Sequence, residues 1–252
     1  MSFITYQKDG AVGVVTMCKP PHNLVDNAFL AELAAVYEKA IGEGCRAILL
    51  RSAMRHFCAG ADLNMIAAER IDQQQLAELW RALEDVPVPT VAAVHGAALG
   101  GGFELALMCD MIIAADTASF GMAESSLGLI PLLGGVQRVV SRAGPVRGKE
   151  LAMFGRRQDP HALERMGVIN LVAAEAELGA VSMSWARQLA AGPTVALKAI
   201  KSLANLTARD GITAADARQA EVNDWMWNSN DQRRGLEAFA VTGPGSAIFE
   251  GN

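Results

Sequence analysis

The sequence predicts an α/β protein with a layered core. Three observations carry that prediction. Short apolar, β-branched runs alternate with amphipathic helical stretches through the first half of the 252 residues. Three consecutive glycines, Gly100, Gly101 and Gly102, stand between one such run and a helix. The length is close to the size at which one hydrophobic core stops growing, so one large domain with an appendage is expected rather than two equal halves. Length and alternation by themselves also suggest a (β/α)8 barrel.

Each element has a local reason. Ala11–Met17 is β-branched and follows Asp9-Gly10, so it reads as a strand reached from a hairpin turn. Asp26 or Asn27 can cap a helix from Ala28 to Ile41. Its apolar positions Phe29, Leu33, Val36, Tyr37 and Ala40 share a face, and Gly42 and Gly44 end it. Ala47–Leu50 is a short, fully apolar strand. Gln73–Val86 places Leu76, Leu79, Trp80 and Leu83 on one helical face, and Pro87 stops it. Val91–Val94 and Met111–Ala115 are buried strands on either side of a helix running from Glu104 to Asp110. Beyond about residue 140 strands thin out. Helices are expected at 174–191, 194–206, 213–228 and 231–240, with Gly192-Pro193 and Asp210-Gly211 between them. The last dozen residues are small and glycine-rich, which suggests a mobile end.

Composition narrows the function classes. Apolar residues make up 51% and charged residues 19%, a globular balance. The net charge of −5 gives no broad positive field for nucleic acid or an anionic membrane. The apolar stretch 91–115 is broken by His95, glycines, Glu104 and Asp110, so it reads as strand, helix and strand rather than a membrane span. No secretory or Arg-rich targeting pattern is visible at the N-terminus. Cys18, Cys45, Cys58 and Cys109 are scattered, as are the four histidines, and no metal-ligand spacing appears. Free thiols in a reducing, cytoplasmic setting are expected.

The glycine run fits neither common phosphate loop. After Gly96-x-x-x-x-Gly101 the lysine and hydroxyl of a Walker loop are missing, and after Gly100-Gly101-Gly102 the third glycine of a dinucleotide fingerprint is missing. No Gly-x-Ser-x-Gly elbow occurs. What remains is a helix entrance with bare backbone N–H groups, followed by two carboxylates, Glu104 and Glu124. Close packing of a strand on a helix explains the glycines equally well, and a first-turn glutamate is favoured by the helix dipole alone. A second joint of the same kind shifts the balance: Arg55-His-Phe-Cys-Ala-Gly-Ala-Asp-Leu63 also runs from a strand into small residues and a helix.

Together these segments resemble the crotonase (enoyl-CoA hydratase/isomerase) family. The motifs are Phe57-Cys-Ala-Gly-Ala-Asp-Leu63, Gly100-Gly-Gly-Phe-Glu-Leu-Ala106 with Cys109-Asp110, and Phe120-Gly-Met-Ala-Glu124. Leu127-Gly-Leu-Ile-Pro131, Gly134-Gly-Val-Gln-Arg138 and Asp231-Gln-Arg-Arg-Gly-Leu-Glu-Ala-Phe239 extend the likeness over nearly the whole chain. The resemblance implies a spiral of repeated ββα units, here residues 1–193, with a helical C-terminal region, residues 194–252, that covers the core and serves assembly into homotrimers or homohexamers. It implies an acyl-CoA thioester substrate, no nucleic-acid or membrane partner, and no metal or other cofactor. The thioester oxygen would lie between the N–H groups of Ala61 and Gly101. Ala59, Ala61, Asp62, Leu63, Asn64 and Gly101 would contact the substrate. Glu104 would activate water as base and Glu124 would protonate the α-carbon as acid, adding water to a 2-enoyl-CoA. The alternatives are isomerisation of 3-enoyl to 2-enoyl-CoA, which can work with one glutamate, and a non-catalytic RNA-binding member, against which the acidic charge argues. A peptidase of this fold would need a Ser/His/Asp set; Ser125 and His95 do not make one. Three departures stand out: Ala123 where proline is usual, Val136 where threonine is common, and a tail after Phe239 with no basic residue to cover the nucleotide end of coenzyme A. Lys19 and Arg55 are the remaining candidates for phosphate contacts. Leu63-Asn-Met-Ile-Ala-Ala68 and Ile130-Pro-Leu-Leu133 are expected to shape the acyl pocket.

Overall fold

The computed structural model describes residues 2–63, 73–243 and 245–252. Among these, six strands form one sheet in the order β1-β2-β3-β4-β6-β8. They are β1 (Ile4–Asp9), β2 (Val12–Met17), β3 (Ala47–Ser52), β4 (Thr90–Val94), β6 (Met111–Ala115) and β8 (Leu171–Ala173). The hairpin β1–β2 is antiparallel and every later pairing is parallel. β3 and β4 are apolar and buried almost throughout, as expected of parallel strands covered on both faces. The open sheet, with two edges, excludes the closed barrel that length and alternation suggest.

A second, smaller layer gives the fold its repeat. β5 (Ala97–Leu99) pairs in parallel with β7 (Ser119–Gly121). Single bridges extend this ribbon on both sides, Cys58 to Ala98 and Phe120 to Gln158. So β4 is followed by β5 and then α3 (Gly101–Leu107). β6 is followed by β7, a 3-10 turn (Ala123–Leu127) and α4 (Gly135–Phe154). β4 and β6 thus each turn into the small layer before a helix begins. This is the repeated ββα arrangement that the family resemblance implies.

Helices close the layers. α1 (Asn27–Gly42) packs on β1 and β2, and on α2 (Gln73–Glu84). Its cap is Asp26, whose carboxylate accepts from the Phe29 N–H at 2.7 Å. α5 (Pro160–Arg165) leads into β8, and α6 (Leu178–Ala191) lies across β2, β3, β4 and β6. α7 (Thr194–Asp210) and α8 (Ile212–Trp227) pack chiefly on each other, followed by α9 (Asn230–Thr242). The sequence reading missed β5, β7 and β8, each only three residues long, the short α5, and the whole of α4. Gly144 and Pro145 lie inside α4 and read as breakers. The structure bends there, with Gly144 at φ 80°, and the helix resumes.

The chain end is anchored, contrary to the expectation of a mobile tail. The fully buried Asp231 carboxylate accepts from the N–H groups of Glu250 (2.9 Å) and Gly251 (2.7 Å). Arg46 donates to the Phe249 carbonyl at 2.9 Å and to the Thr194 hydroxyl at 2.8 Å, joining tail, α7 and sheet. No described helix is long and apolar enough to cross a membrane.

Candidate active site

The glycine run and the Phe57–Leu63 joint meet. Three glycines do three different things there. A methyl group on Gly102 would stand 2.1 Å from the Cys58 carbonyl oxygen, so only glycine lets the two joints touch. A methyl group on Gly100 would stand 2.7 Å from a Glu124 carboxylate oxygen. One on Gly101 would lie 3.4 Å from the Ala61 nitrogen and 3.3 Å from the Leu133 Cδ1. The amide region of Ala61 therefore faces Gly101 across a narrow gap.

Neighbouring amides are committed to holding the joints. Phe57, Cys58, Ala59 and Asp62 donate to His95, Ala97, His22 and Val25. Gly100 donates to Gly121 at 2.8 Å. Among the described residues, the Ala61 and Gly101 N–H groups donate to no protein acceptor. Gly101 opens α3, so its N–H is one of the donors a helix leaves unpaired. Two free donors side by side can stabilise a developing oxyanion.

Sequence reasoning missed the residue that clamps the first joint. Asn23 is fully buried with φ 54°, a region Asn tolerates better than most residues. Its amide donates to Ser52 Oγ (2.8 Å) and the Phe57 carbonyl (2.9 Å), and its oxygen accepts from the Lys19 N–H (2.8 Å). The signal was Asn after Pro20-Pro21-His22, a turn composition.

Glu104 lies in the first turn of α3 and is 1% exposed. Its Oε1 accepts from the N–H groups of Leu133 (2.9 Å) and Gly135 (2.7 Å). Burial pushes its pKa up to about 7; the two amides oppose the rise and the Glu124 charge adds to it. Gly135 must be glycine, because a methyl group there would stand 2.8 Å from the Glu104 Cγ. Glu124, on the 3-10 turn after β7, also has its pKa raised by burial, and its Oε2 is buried with no partner among the described residues. One carboxylate is thus pinned and the other has an oxygen to offer.

Both glutamates line one cavity of about 370 Å³, together with Ala59, Gly60, Ala61, Asp62, Leu63, Gly100 and Gly101. Its remaining wall is mostly leucine, including Leu30, Leu127 and Leu129. The cavity brings together every sequence-selected site residue except Asn64, which lies outside the described residues. Of the pocket-shaping segments, Leu132 and Leu133 line it and residues 64–68 are likewise outside the description. Lys19 is not available for a phosphate: its ammonium pairs with Asp26 and donates to the Leu24 carbonyl. Arg55 remains exposed. Among the described residues, no group of three His, Cys, Asp or Glu side chains is arranged to hold a metal ion.

Known proteins resemble this chain over nearly its whole length. The Enoyl-CoA hydratase/isomerase family model matches residues 7–246. A "Probable enoyl-CoA hydratase" of Rhizobium meliloti is 31% identical over 248 residues, covering 93% of each chain. "Enoyl-CoA isomerase/hydratase fer4" of Mycosarcoma maydis is 36% identical over 200 residues, 77% of this chain and 73% of that one. The crystal structure of "Enoyl-CoA Hydrates Subunit I" from Geobacillus kaustophilus HTA426 superposes with a TM-score of 0.92 at 33% identity, covering 100% of this chain and 99% of that one. The chain belongs to the enoyl-CoA hydratase/isomerase family.

Proposed function

We propose that this protein adds water across the double bond of a 2-enoyl-CoA to give a 3-hydroxyacyl-CoA. The observation that carries the reading is the placing of two glutamates and two undonated amides around one apolar cavity. The Ala61 and Gly101 N–H groups hold the thioester oxygen. Negative charge builds there as the β-carbon is attacked, and each donor contributes about 2.7–4 kcal/mol to lowering the barrier. The dipole of α3 adds on the order of 0.3–1 kcal/mol.

Glu104 serves as the base. Its pKa near 7 matches the working pH, where a base combines a sufficient ionised fraction with sufficient basicity. It takes a proton from water as the oxygen bonds to the β-carbon. Glu124, protonated, gives its proton to the α-carbon, and its upward-shifted pKa favours that form. One water is consumed, and a proton relayed from Glu104 to Glu124 restores both groups. The reaction needs no metal or redox group, and coenzyme A enters as part of the substrate. Ala59, Asp62, Leu63 and Asn64 complete the contacts to the thioester.

Isomerisation of a 3-enoyl-CoA is the second reading, because one glutamate suffices for it and relatives carry both activities in their names. Incubating matched 2-enoyl and 3-enoyl thioesters separately, and identifying the products, tests the choice. A 3-hydroxyacyl product from the 2-enoyl substrate supports hydration. Interconversion of the two enoyl isomers without hydroxyacyl product supports isomerisation and sinks it. We further propose a cytoplasmic homotrimer or homohexamer, with residues 194–252 serving as a separate assembly region.

A further inference from the structure

Arg138 ends the Gly134-Gly-Val-Gln-Arg138 motif, and its side chain folds back over the start of that motif. Its Nη1 donates to the carbonyls of Gly134 (3.1 Å) and, at longer range, Leu133 (3.4 Å). The same short turn carries the Leu133 and Gly135 N–H groups that hold Glu104. The Gly134 carbonyl and the Gly135 N–H belong to one peptide group, which is planar and stiff. Arg138 thus grips one end of that unit, and Glu104 Oε1 sits on the other at 2.7 Å. A cation on the carbonyl also polarises the unit and strengthens the donor opposite.

The guanidinium is itself held. Glu84, at the end of α2, accepts from its Nε at 3.0 Å and from its Nη2 at 2.7 Å, a two-point fork that a lysine cannot make. The Trp80 ring, one turn earlier on α2, lies 6.0 Å from its Cζ. Gly134 leaves the room for this fold-back: its φ is 81°, and a methyl group on it would stand 2.2 Å from the Arg138 Nη1. One line of bonds therefore runs from Glu84 through Arg138 and the 134–135 peptide to Glu104. A tie between α2 and α4 needs only the first of these links. The link onto the turn carbonyls is directed at the base.

We propose that Arg138 is a positioning residue: anchored by Glu84, it fixes the peptide group that holds the Glu104 carboxylate in place for proton transfer. This rests on the reading of Glu104 as the base, and not on whether water is added or a double bond is moved. The test is a double-mutant cycle of Arg138→Met with Glu104→Gln, run on whichever of the 2-enoyl and 3-enoyl thioesters the protein converts. Arg138→Met alone is expected to lower kcat roughly ten- to hundredfold with little change in KM, because a misplaced base weakens the transition state and not substrate binding. In the Glu104→Gln background the same change should cost no more than about twofold, since the carboxylate it serves is gone. The pH profile gives a second readout. Among the described residues, Glu124 and Arg138 are the charges that act on Glu104; burial chiefly raises its pKa, and Arg138 is among the influences that hold it down. The acid limb of kcat should therefore move to higher pH in Arg138→Met. Arg138→Lys keeps the charge without the fork, so it should restore the limb but only part of the rate. It also carries the cycle if Arg138→Met does not fold. Equal losses in both backgrounds, an unmoved acid limb, or a lysine variant with the full wild-type rate would reduce Arg138 to a tie between helices and overturn the proposal, leaving the base reading intact. Wild-type turnover in Glu104→Gln, or no turnover of either thioester, removes the base reading and the proposal with it.

Discussion

Single residues decide the chemistry, and here the roles of three adjacent glycines separate. Gly102 lets backbone meet backbone, Gly100 leaves room for Glu124, and Gly101 supplies a donor. Gly102→Ala should therefore destabilise the fold by about 1–3 kcal/mol or more, because its new methyl group meets a carbonyl rather than a flexible side chain; a urea melt reads this. Glu104→Gln and Glu124→Gln should each lower hydration of crotonyl-CoA by roughly 10²–10⁴-fold while the melt stays cooperative. The pKa of Glu104 adds a signed prediction. Its folded value of about 7 lies above its ordinary value of 4.5, so the folded state holds a proton that the unfolded chain releases between those values. Stability from this group is present at low pH and declines as pH rises through about 7. The decline is on the order of 3 kcal/mol for a group this buried. Glu104→Gln should thus gain stability relative to wild type on moving from about pH 5 to about pH 8, while the wild-type rate should fall below about pH 7 as the base protonates. A relative stability that does not change with pH would remove Glu104 from its buried, titrating role. The two glutamates and the two donor positions were legible in the sequence because motifs mark them. Asn23 was not, since one buried amide in a turn carries no spacing signal, and neither were the Leu133 and Gly135 donors, since main-chain geometry is not written in side-chain type.

At the scale of elements, fully apolar and long amphipathic segments were easy to read. β3, β4 and β6 announce themselves by composition, and α1 by its period and its cap. Short strands such as β7 and β8 are held by neighbours rather than by their own preference, so nothing local marks them. α4 shows the opposite failure, where a Gly-Pro pair bends a helix without ending it. The attachment of α7 to the sheet also depends on a contact distant in sequence. Lys201 is buried and pairs with Asp110 at 2.8 Å, and Asp110 in turn accepts from Thr90. Lys201→Met leaves that carboxylate without its cation and should cost up to about 3 kcal/mol. Amide hydrogen exchange should then quicken in Thr194–Asp210 before it quickens in β4. Uniform quickening across the sheet would show that the pair holds the whole core rather than one helix.

The whole molecule presents apolar surface that one chain leaves uncovered. Ile212 and Trp227, at the two ends of α8, and Phe239 on α9 are each more than 60% exposed. Surface of this kind marks contact sites. Light scattering should accordingly give a mass three or six times that of the chain, and Trp227→Glu should lower it; a monomer at micromolar concentration would refute the proposed assembly. Architecture was legible through the ordered motifs, since alternation alone points equally to a closed barrel. A second cavity of about 430 Å³, lined by Arg81, Arg138, Arg142 and Arg209, was not legible, because those arginines come from α2, α4 and α7, far apart in the chain. All functional claims converge on the gap between Ala61 and Gly101. A crystal structure with an unreactive acyl-CoA analogue examines that gap directly. The thioester oxygen should stand about 2.7–3.1 Å from both nitrogens, with the Glu104 and Glu124 carboxyl groups on the side of the α- and β-carbons. An oxygen bound elsewhere, or an acyl chain turned away from both carboxyl groups, would contradict it.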